Sequence, residues 1–189
     1  MKKTTPYSKI LFKTKRLIIR PYKLTDFKSC QLSHAARLKK VNTFDEPIYT
    51  TSFESYSEFK EKVTTYREHG KLKVHFIFGI FEKKTGAHVG QVDLFLINKQ
   101  MSWGNLGYQI QNHSWGKGYA TEASKAALKI AFKELGFHRI EAGAELKNIA
   151  SHKVAKKAGM LREGIRLKFF PNNGGLDMVI FGANAIDYR

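Results

Sequence analysis

The sequence lacks the cysteines and the long apolar runs that would indicate several common classes of protein. Cys30 is the only cysteine among 189 residues, which excludes an internal disulfide, and no Cys/His spacing of the zinc-site type is present. No stretch approaches the ~20 apolar residues of a membrane span. Lysines and arginines interrupt the first 22 residues, where a signal peptide would need an apolar core. We therefore expect a cytoplasmic protein with no metal and no membrane partner.

Acidic residues are also scarce. Sixteen Asp and Glu stand against 33 Lys and Arg, which gives a net charge of +17. Such a charge attracts polyanions, including RNA, phosphate-bearing cofactors and acidic protein surfaces. The basic residues are scattered, however, with no arginine-rich tract and no recognisable nucleic-acid module. A solvated lysine-rich surface and a dedicated polyanion-binding face both remain open.

The hydrophobic content, 42%, is sufficient for a real core, and the length predicts one domain that spans residues 1–189. Apolar periodicity predicts the element order β-α-α-β-β-β-α-β-α-β-β, an α/β protein. Strands are predicted at 16–22, at 73–98 as a hairpin, and at 101–111, 138–148, 161–170 and 176–186. Helices are predicted at 25–38, 52–70 and 118–135, and from the N-cap Asn148 to Gly159.

One polar loop, "QNHSWGKGYATEA" at 111–123, joins a predicted strand to a predicted helix. Gly116 and Gly118 leave backbone amides accessible at a helix N-terminus, where the helix dipole favours an anion. The nucleotide patterns do not match: the P-loop spacing is absent, and Thr121 stands where the dinucleotide pattern needs a third glycine. The spacing fits a pyrophosphate site, and an ordinary loop is the alternative.

Within this loop, "HSWGKG" resembles the Gln/Arg-x-x-Gly-x-Gly/Ala acetyl-CoA motif of the GNAT superfamily of N-acetyltransferases, with His113 at the first position. The chain also resembles the RimJ/RimL-type branch, which acetylates ribosomal-protein N-termini, in "KRLIIRPYKLTDF", "LGYQI", "WGKGYATEA", "NIASHKVAKKAGM" and "EGIRLKFF" with "GLDMVIFG". The resemblance implies the GNAT acyl-CoA N-acyltransferase fold, a mixed and mostly antiparallel sheet of about seven strands with helices on both faces. It also implies acetyl-CoA as co-substrate.

The same resemblance assigns cofactor contacts. The pyrophosphate would be held by Trp115, Gly116, Lys117, Gly118, Tyr119 and Ala120, with a hydroxyl from Thr121. The pantetheine arm would pair with the backbone of Tyr108, Gln109 and Ile110, and would bond to Asn148 and Ser151. The ribose phosphate could meet Lys153, Lys156 and Lys157, for which a solvated helix face is the alternative.

Acetyl transfer to an amine needs a base for the amine and an acid for the leaving thiolate. Many relatives use a tyrosine on the last helix as the acid, but this helix has none. Ser151, in the RimL-like Asn-x-x-Ser pattern, is the candidate acid, with a capping role as the alternative. Asp93 is the first candidate base, Glu141 and Glu46 are weaker ones, and a water chain is another possibility.

The sequence thus indicates an acetyl-CoA-dependent N-acetyltransferase that transfers acetyl directly, in a ternary complex, to a protein N-terminal amine. A ribosomal protein is the expected acceptor, and the basic surface suits association with the ribosome or RNA. A small-amine acetyltransferase acting on a polyamine or aminoglycoside is one alternative. A non-catalytic module that binds acyl-CoA or RNA is another, and a monomer and a homodimer are equally open.

Overall fold

A computed structural model describes residues 4–45, 55–171 and 175–188, without the side chain of Phe170. Its strands form one sheet, which fixes the geometry of the rest of the molecule. The strands are β1 (Phe12–Lys13), β2 (Leu17–Pro21), β3 (His75–Glu82), β4 (His88–Asn98), β5 (Trp103–Ile110), β6 (Arg139–Glu145), β7 (Leu161–Phe170) and β8 (Leu176–Asn184). Their spatial order is β1-β2-β3-β4-β5-β6-β8-β7.

Four α-helices lie within the described residues, and the last of them has the capping residues expected from its sequence. They are α1 (Phe27–Ala35), α2 (Tyr56–Leu72), α3 (Tyr119–Lys129) and α4 (Ile149–Ala158). The side chain of Asn148 accepts the Ser151 N–H at the start of α4, and Gly159 ends that helix in the left-handed region at φ 97°. None of the helices within the described ranges is long and apolar enough to cross a membrane.

Helices cover both faces of the sheet. On one face, α3 and α4 pack on a large core that includes Phe78, Val92 and Ile140. On the other face, a smaller core joins α1 and α2 to the sheet through residues such as Phe59 and Ile77. Because β3 lies between both cores, six consecutive residues from Phe76 to Phe81 are buried.

The sheet opens on one side of β5. Strands β5 and β6 form the parallel pair, and their pairing covers only Trp103 to Asn105 of β5. Beyond Asn105, β5 stays paired with β4 while β6 continues along β8. The two strands therefore diverge, and the edge of β5 that faces β6 is left for another partner.

The expected mixed, mostly antiparallel sheet is confirmed, with eight strands instead of about seven. The additional strand, Phe12–Lys13, pairs with β2 but is too short to show a period-2 pattern. The predicted helix 118–135 ends in a π-helical turn, Ile130–Leu135, and the first predicted helix is shorter than expected. The predicted start of α2 at Ser52 and most of the turn "PNNGG" lie outside the described residues.

A buried polar network fixes the segment after α1 to the end of β5. Asp45, 1% exposed, accepts hydrogen bonds from the Arg37 guanidinium at 2.8 Å, from Asn112 Nδ2 at 2.9 Å and from the Val41 N–H at 2.9 Å. Asn112 also pairs with the backbone of Leu38 through its amide. Burial raises the pKa of the Asp45 carboxyl, but the three donors outweigh it and hold the pKa below its ordinary value of 3.8.

We expect Asp45→Asn to lower the free energy of unfolding at pH 7 by about 2 kcal/mol, because a charge-assisted network becomes neutral. A carboxyl whose pKa is lower in the folded than in the unfolded state stabilises the folded protein at pH values above its ordinary pKa. This contribution is lost as the pH falls through the folded-state pKa. The difference between the two proteins should therefore shrink below about pH 4, as measured by urea unfolding. Glu68→Gln, at an exposed pair with Lys71, is the control and should change little. An equal cost of Asp45→Asn at pH 7 and pH 3 would contradict the network's electrostatic role.

Candidate active site

A cleft of about 280 Å³ occupies the gap where β5 and β6 diverge. Its walls come from β5, β6 and α4, with contributions from α3 and β8. The lining residues include Gly107, Tyr108, Ser124, Gly143, Asn148 and Ser151. The cleft thus brings together Tyr108, Asn148 and Ser151, three residues expected from the sequence to contact the pantetheine arm.

A hydroxyl pair spans the cleft from strand to helix. Tyr108 OH donates to Ser151 Oγ at 3.1 Å. The N-cap of α4 uses the Ser151 backbone N–H, which donates to Asn148 Oδ1 at 3.1 Å, so capping leaves the Ser151 hydroxyl to other partners. Burial raises the pKa of Tyr108, although the Ser151 hydrogen bond opposes the rise, and the phenol is therefore protonated at neutral pH. Tyr108 of β5 therefore gives Ser151 a phenol as proton donor, whereas α4 itself contains no tyrosine.

The glycine loop has the backbone geometry expected of an anion site. Gly116 and Gly118 have φ values of 75° and 77°, in the left-handed region that favours glycine. A Cβ at Gly116 would meet nothing within 4 Å, so this side of the loop is open. Gly118 is the N-cap of α3, and the amides of Tyr119, Ala120 and Thr121 lie in its first turn, where helical acceptors are absent.

An arginine from the N-terminal segment holds this loop in place. Arg16 donates to the Lys117 carbonyl at 2.7 Å and pairs with Glu122 of α3 at 2.7 Å. Glu122 also accepts from the Thr14 hydroxyl and the Arg16 N–H, at 2.6 and 2.9 Å. Burial raises the pKa of Glu122, but these donors outweigh it and lower the pKa, which keeps the carboxylate ionised.

The two aromatic side chains of the loop are each hydrogen-bonded to the protein, although Trp115 is 37% exposed. The Trp115 indole N–H donates to the Ile110 carbonyl at 2.7 Å. Tyr119 is buried and donates its hydroxyl to Glu82 at 2.7 Å. Both side chains support the loop, and what Tyr119 offers an anion is its backbone amide. Gln109 likewise offers its backbone, since alternation along β5 directs its side chain away from the α4 face on which Tyr108 lies.

Asp93 lies on the opposite face of the sheet, close to the cleft. It is paired across β4 and β5 with Gly107, and a Cβ at that glycine would lie 2.7 Å from Asp93 Oδ1. The carboxylate can lie against β5 only because residue 107 has no side chain. Asp93 Oδ2 is 3.0 Å from His75 Nε2 on β3, and the Asp93 charge also acts on Tyr66 of α2, whose pKa is raised mainly by burial.

The other proposed carboxylates have different surroundings. Glu141 is buried, and its two oxygens accept from the Arg139 and Arg166 guanidinium groups at 3.1 and 2.8 Å. The two guanidinium groups occupy the carboxylate oxygens that a base would need for accepting a proton. Glu46 lies outside the described residues. The lysines Lys153, Lys156 and Lys157 are exposed on α4.

Three residues near the site were not identified from the sequence. Arg16 and His75 reach it by long-range contacts, for which a sequence pattern carries no signal. Ser124 lines the cleft with a buried hydroxyl that has no hydrogen-bond partner among the described residues. Its place on the small-residue face of α3, one turn after Ala120, was a signal that could have pointed to it.

Other reactive groups are absent from the part of the chain that the structure describes. No cluster of three or more His, Cys, Asp or Glu side chains in residues 4–45, 55–171 and 175–188 could hold a metal ion. Cys30 is fully buried, and burial raises the pKa of its thiol, which leaves it a poor nucleophile.

Comparison with known proteins places this arrangement in a family. Residues 16–161 match the model of the Acetyltransferase (GNAT) domain. The chain is similar to the probable N-acetyltransferase YjcK of Bacillus subtilis, with 30% identity over 167 residues that cover 87% of this chain and 91% of the relative.

Solved structures support the fold. Mycobacterium smegmatis RimJ in complex with CoA-disulfide has a TM-score of 0.79 at 18% identity, with 98% of this chain and 91% of that chain covered. The ribosomal-protein-S5-alanine acetyltransferase from Vibrio fischeri has a TM-score of 0.76 at 22% identity, with 95% and 99% covered. Three observations indicate the same family: the diverging strand pair, the glycine loop at a helix N-terminus and the family match across most of the chain. This chain belongs to the GNAT family of acetyltransferases and is an N-acetyltransferase that uses acetyl-CoA as its co-substrate.

Proposed function

We propose that the acceptor is the α-amine of a protein N-terminus, with ribosomal proteins as the first candidates. Acetyl passes to this amine directly, in a ternary complex. The observation that carries the chemistry is the pair of groups on either side of the β5 and β6 opening. Asp93 lies beside Gly107 on the α1 and α2 face, and Ser151 lies on the α4 face. A base and an acid on opposite sides suit a reaction in which one proton leaves the amine and another reaches the thiolate.

The amide groups of the glycine loop would hold the pyrophosphate, with Arg16 and Glu122 fixing the loop. The open edge of β5 would pair with the amides of the pantetheine arm, as an added strand does. Asn148 and Ser124 offer further polar groups to the same arm from α4 and α3. With these contacts the thioester would lie in the gap that separates Asp93 from Ser151.

During the transfer the acceptor nitrogen loses two protons and the thiolate gains one. Asp93 accepts a proton from the ammonium form of the acceptor, and the neutral amine attacks the thioester carbonyl carbon. The carbon–sulfur bond breaks, and the thiolate takes the proton of the Ser151 hydroxyl, which Tyr108 restores through their 3.1 Å hydrogen bond. The second proton of the attacking nitrogen passes to solvent, Tyr108 regains its proton from solvent, and Asp93 releases the proton that it accepted. His75 is a positioning residue, because its Nε2 holds the other oxygen of Asp93.

Charge favours a protein acceptor over a polyamine. A net charge of +17 repels a polycation at long range, whereas an acidic protein or ribosomal RNA would be attracted. The structural likeness to a ribosomal-protein-S5-alanine acetyltransferase supports the same choice of acceptor class.

The acceptor class is tested by CoA release with a panel of amines. Peptides with the N-termini of ribosomal proteins should be turned over, and the same peptides with a blocked α-amine should not. Spermidine and an aminoglycoside serve as small-amine comparisons. Faster turnover of spermidine than of every peptide would reject the protein N-terminus as the acceptor.

We expect Ser151→Ala to lower kcat about tenfold while the affinity for acetyl-CoA changes little, since a general acid contributes ~10²-fold or more and water replaces it in part. Alanine keeps the backbone N–H that the N-cap uses, so α4 should remain intact. Tyr108→Phe should lower kcat less, because it removes the second donor only. Steady-state kinetics and acetyl-CoA titration separate the two effects. An unchanged kcat in Ser151→Ala would exclude the serine as the acid.

A further inference from the structure

A second cavity, of about 520 Å³, lies apart from the acetyl-CoA cleft. One wall is a face of α1, another is the turn between β3 and β4, and His113 closes the end nearest the glycine loop. The wall from α1 includes Lys28, Ser29, Leu32, Ser33 and Ala36. None of the residues that line this groove also lines the cleft between β5 and β6. We call it the α1 groove.

Three buried polar atoms of the α1 groove have no hydrogen-bond partner within the described residues. They are Ser33 Oγ, His88 Nδ1 and His113 Nδ1. His88 is 1% exposed and Ser33 is 6% exposed, so solvent reaches little of either side chain. A buried polar group without a partner costs roughly 1–3 kcal/mol. Of the seven such atoms among the described residues, these three lie around one groove, where a ligand would supply partners for them.

The histidines are neutral and able to donate. Burial lowers the pKa of His88 to about 4, so the ring carries no charge at pH 7. Its Nε2 lies 2.9 Å from Tyr22 OH. In the tautomer in which Nε2 accepts the tyrosine proton, Nδ1 carries a hydrogen and donates. The Ser33 hydroxyl also donates, which gives the groove two buried donors.

The charges around the α1 groove favour an anion. Lys28 is a lining residue, and no lining residue is acidic. Burial lowers the pKa of His113, and the nearby cations Lys117 and Arg37 lower it further, which reports a positive potential at that end. One acid, Asp26, acts electrostatically on His88, but it forms a two-bond pair with Arg20. Glu82, next to the turn, accepts from Thr85 and Tyr119.

The groove also has an apolar part. Leu32 is 62% exposed, and Ala36 and Ala87 lie beside it. We propose that the α1 groove is a second ligand site, which binds a small organic anion with its phosphate or carboxylate at Lys28, Ser33 and His88 and its apolar body against Leu32. This site is independent of the acceptor proposed above and of acetyl-CoA.

The probe is phenyl phosphate, with phenol as its uncharged match. The full-length protein is titrated in saturating CoA, which blocks the glycine loop, and the His88 and His113 ring signals are followed by NMR. We expect saturable shifts with phenyl phosphate and none with phenol. Saturation only when CoA is absent would mean that the phosphate binds the glycine loop, and would overturn the proposal.

Variants locate the site. Lys28→Gln and Ser33→Ala should each weaken phenyl phosphate binding about fivefold, since each removes one donor to a charged group. Both changes keep a good helix former in α1. Lys60→Gln, on the exposed face of α2, is the matched control and should bind normally. Equal affinity in all three variants, or shifts confined to residues outside the groove, would refute the site.

Discussion

Asp93→Asn should lower kcat about 100-fold or more at neutral pH, because a general base contributes typically 10²–10⁴-fold. Asparagine has the same shape and can still bond to His75, so the β3, β4 and β5 register should be kept. The affinity for acetyl-CoA should change little, because the carboxylate lies on the face opposite Ser151 and the helix α4. The measurement is a kcat and KM determination with a turned-over peptide, together with thermal unfolding.

Two further variants separate chemistry from structure. Glu68→Gln changes a carboxylate at an exposed pair on α2 and should leave kcat unaltered. His75→Gln should lower kcat by less than Asp93→Asn, as expected of a residue that positions the base. If Asp93→Asn retained kcat at normal stability, the proton would leave by another route, such as a water chain, and Asp93 would be excluded as the base.

Gly118→Ala should weaken acetyl-CoA binding about 30-fold, which corresponds to roughly 2 kcal/mol. The residue has φ 77°, and an added Cβ would have only Arg16 Nη2 nearby, at 3.5 Å. The methyl group would therefore stand on the open side of the loop, and the backbone would shift to relieve the positive φ. Both changes displace the amides that would bind the pyrophosphate. Titration calorimetry with acetyl-CoA measures the loss.

Gly136→Ala is the matched control for backbone strain. Gly136 has the same φ of 77° but lies after the π-helical turn, where its Cβ would be 3.2 Å from the Thr4 methyl. It should reduce stability to a similar degree while leaving acetyl-CoA affinity unchanged. A similar loss of affinity in both variants would attribute the effect to general destabilisation and would remove the glycine loop as the anion site.

Much of the fold was predictable because the relevant signals are local. Apolar and β-branched runs on either side of a turn predicted β3 and β4, and alternation predicted β6. Asn148 and Gly159 marked the two ends of α4 through capping chemistry. The two-residue β1 was missed because a pattern needs several periods to appear. The π-helical end of α3 was missed for another reason, since α and π turns differ in backbone hydrogen bonding, which a single turn of apolar residues does not reveal.

The candidate site was predictable only in part. The glycine loop is contiguous in sequence, so its residues could be named in advance. The support of that loop by Arg16 depends on a contact between residues about a hundred positions apart. Similarly, the sequence of α4 has no tyrosine, and only the structure shows Tyr108 of β5 reaching Ser151. Only the structure, likewise, shows that Arg139 and Arg166 bond to the carboxylate of Glu141, a weaker candidate for the base.

The sequence by itself determined the order of the elements other than β1, the glycine loop and the strongly basic character of this acetyltransferase, because each depends on neighbouring residues or on composition. The resemblance of that loop to the GNAT motif gave the cofactor class. Only the tertiary structure decided which side chains meet. Gly107 illustrates the reason, since the missing side chain on β5 matters only because Asp93 is paired across from it. Strand pairing and helix packing set such contacts, and they are fixed when the whole chain buries its apolar surface.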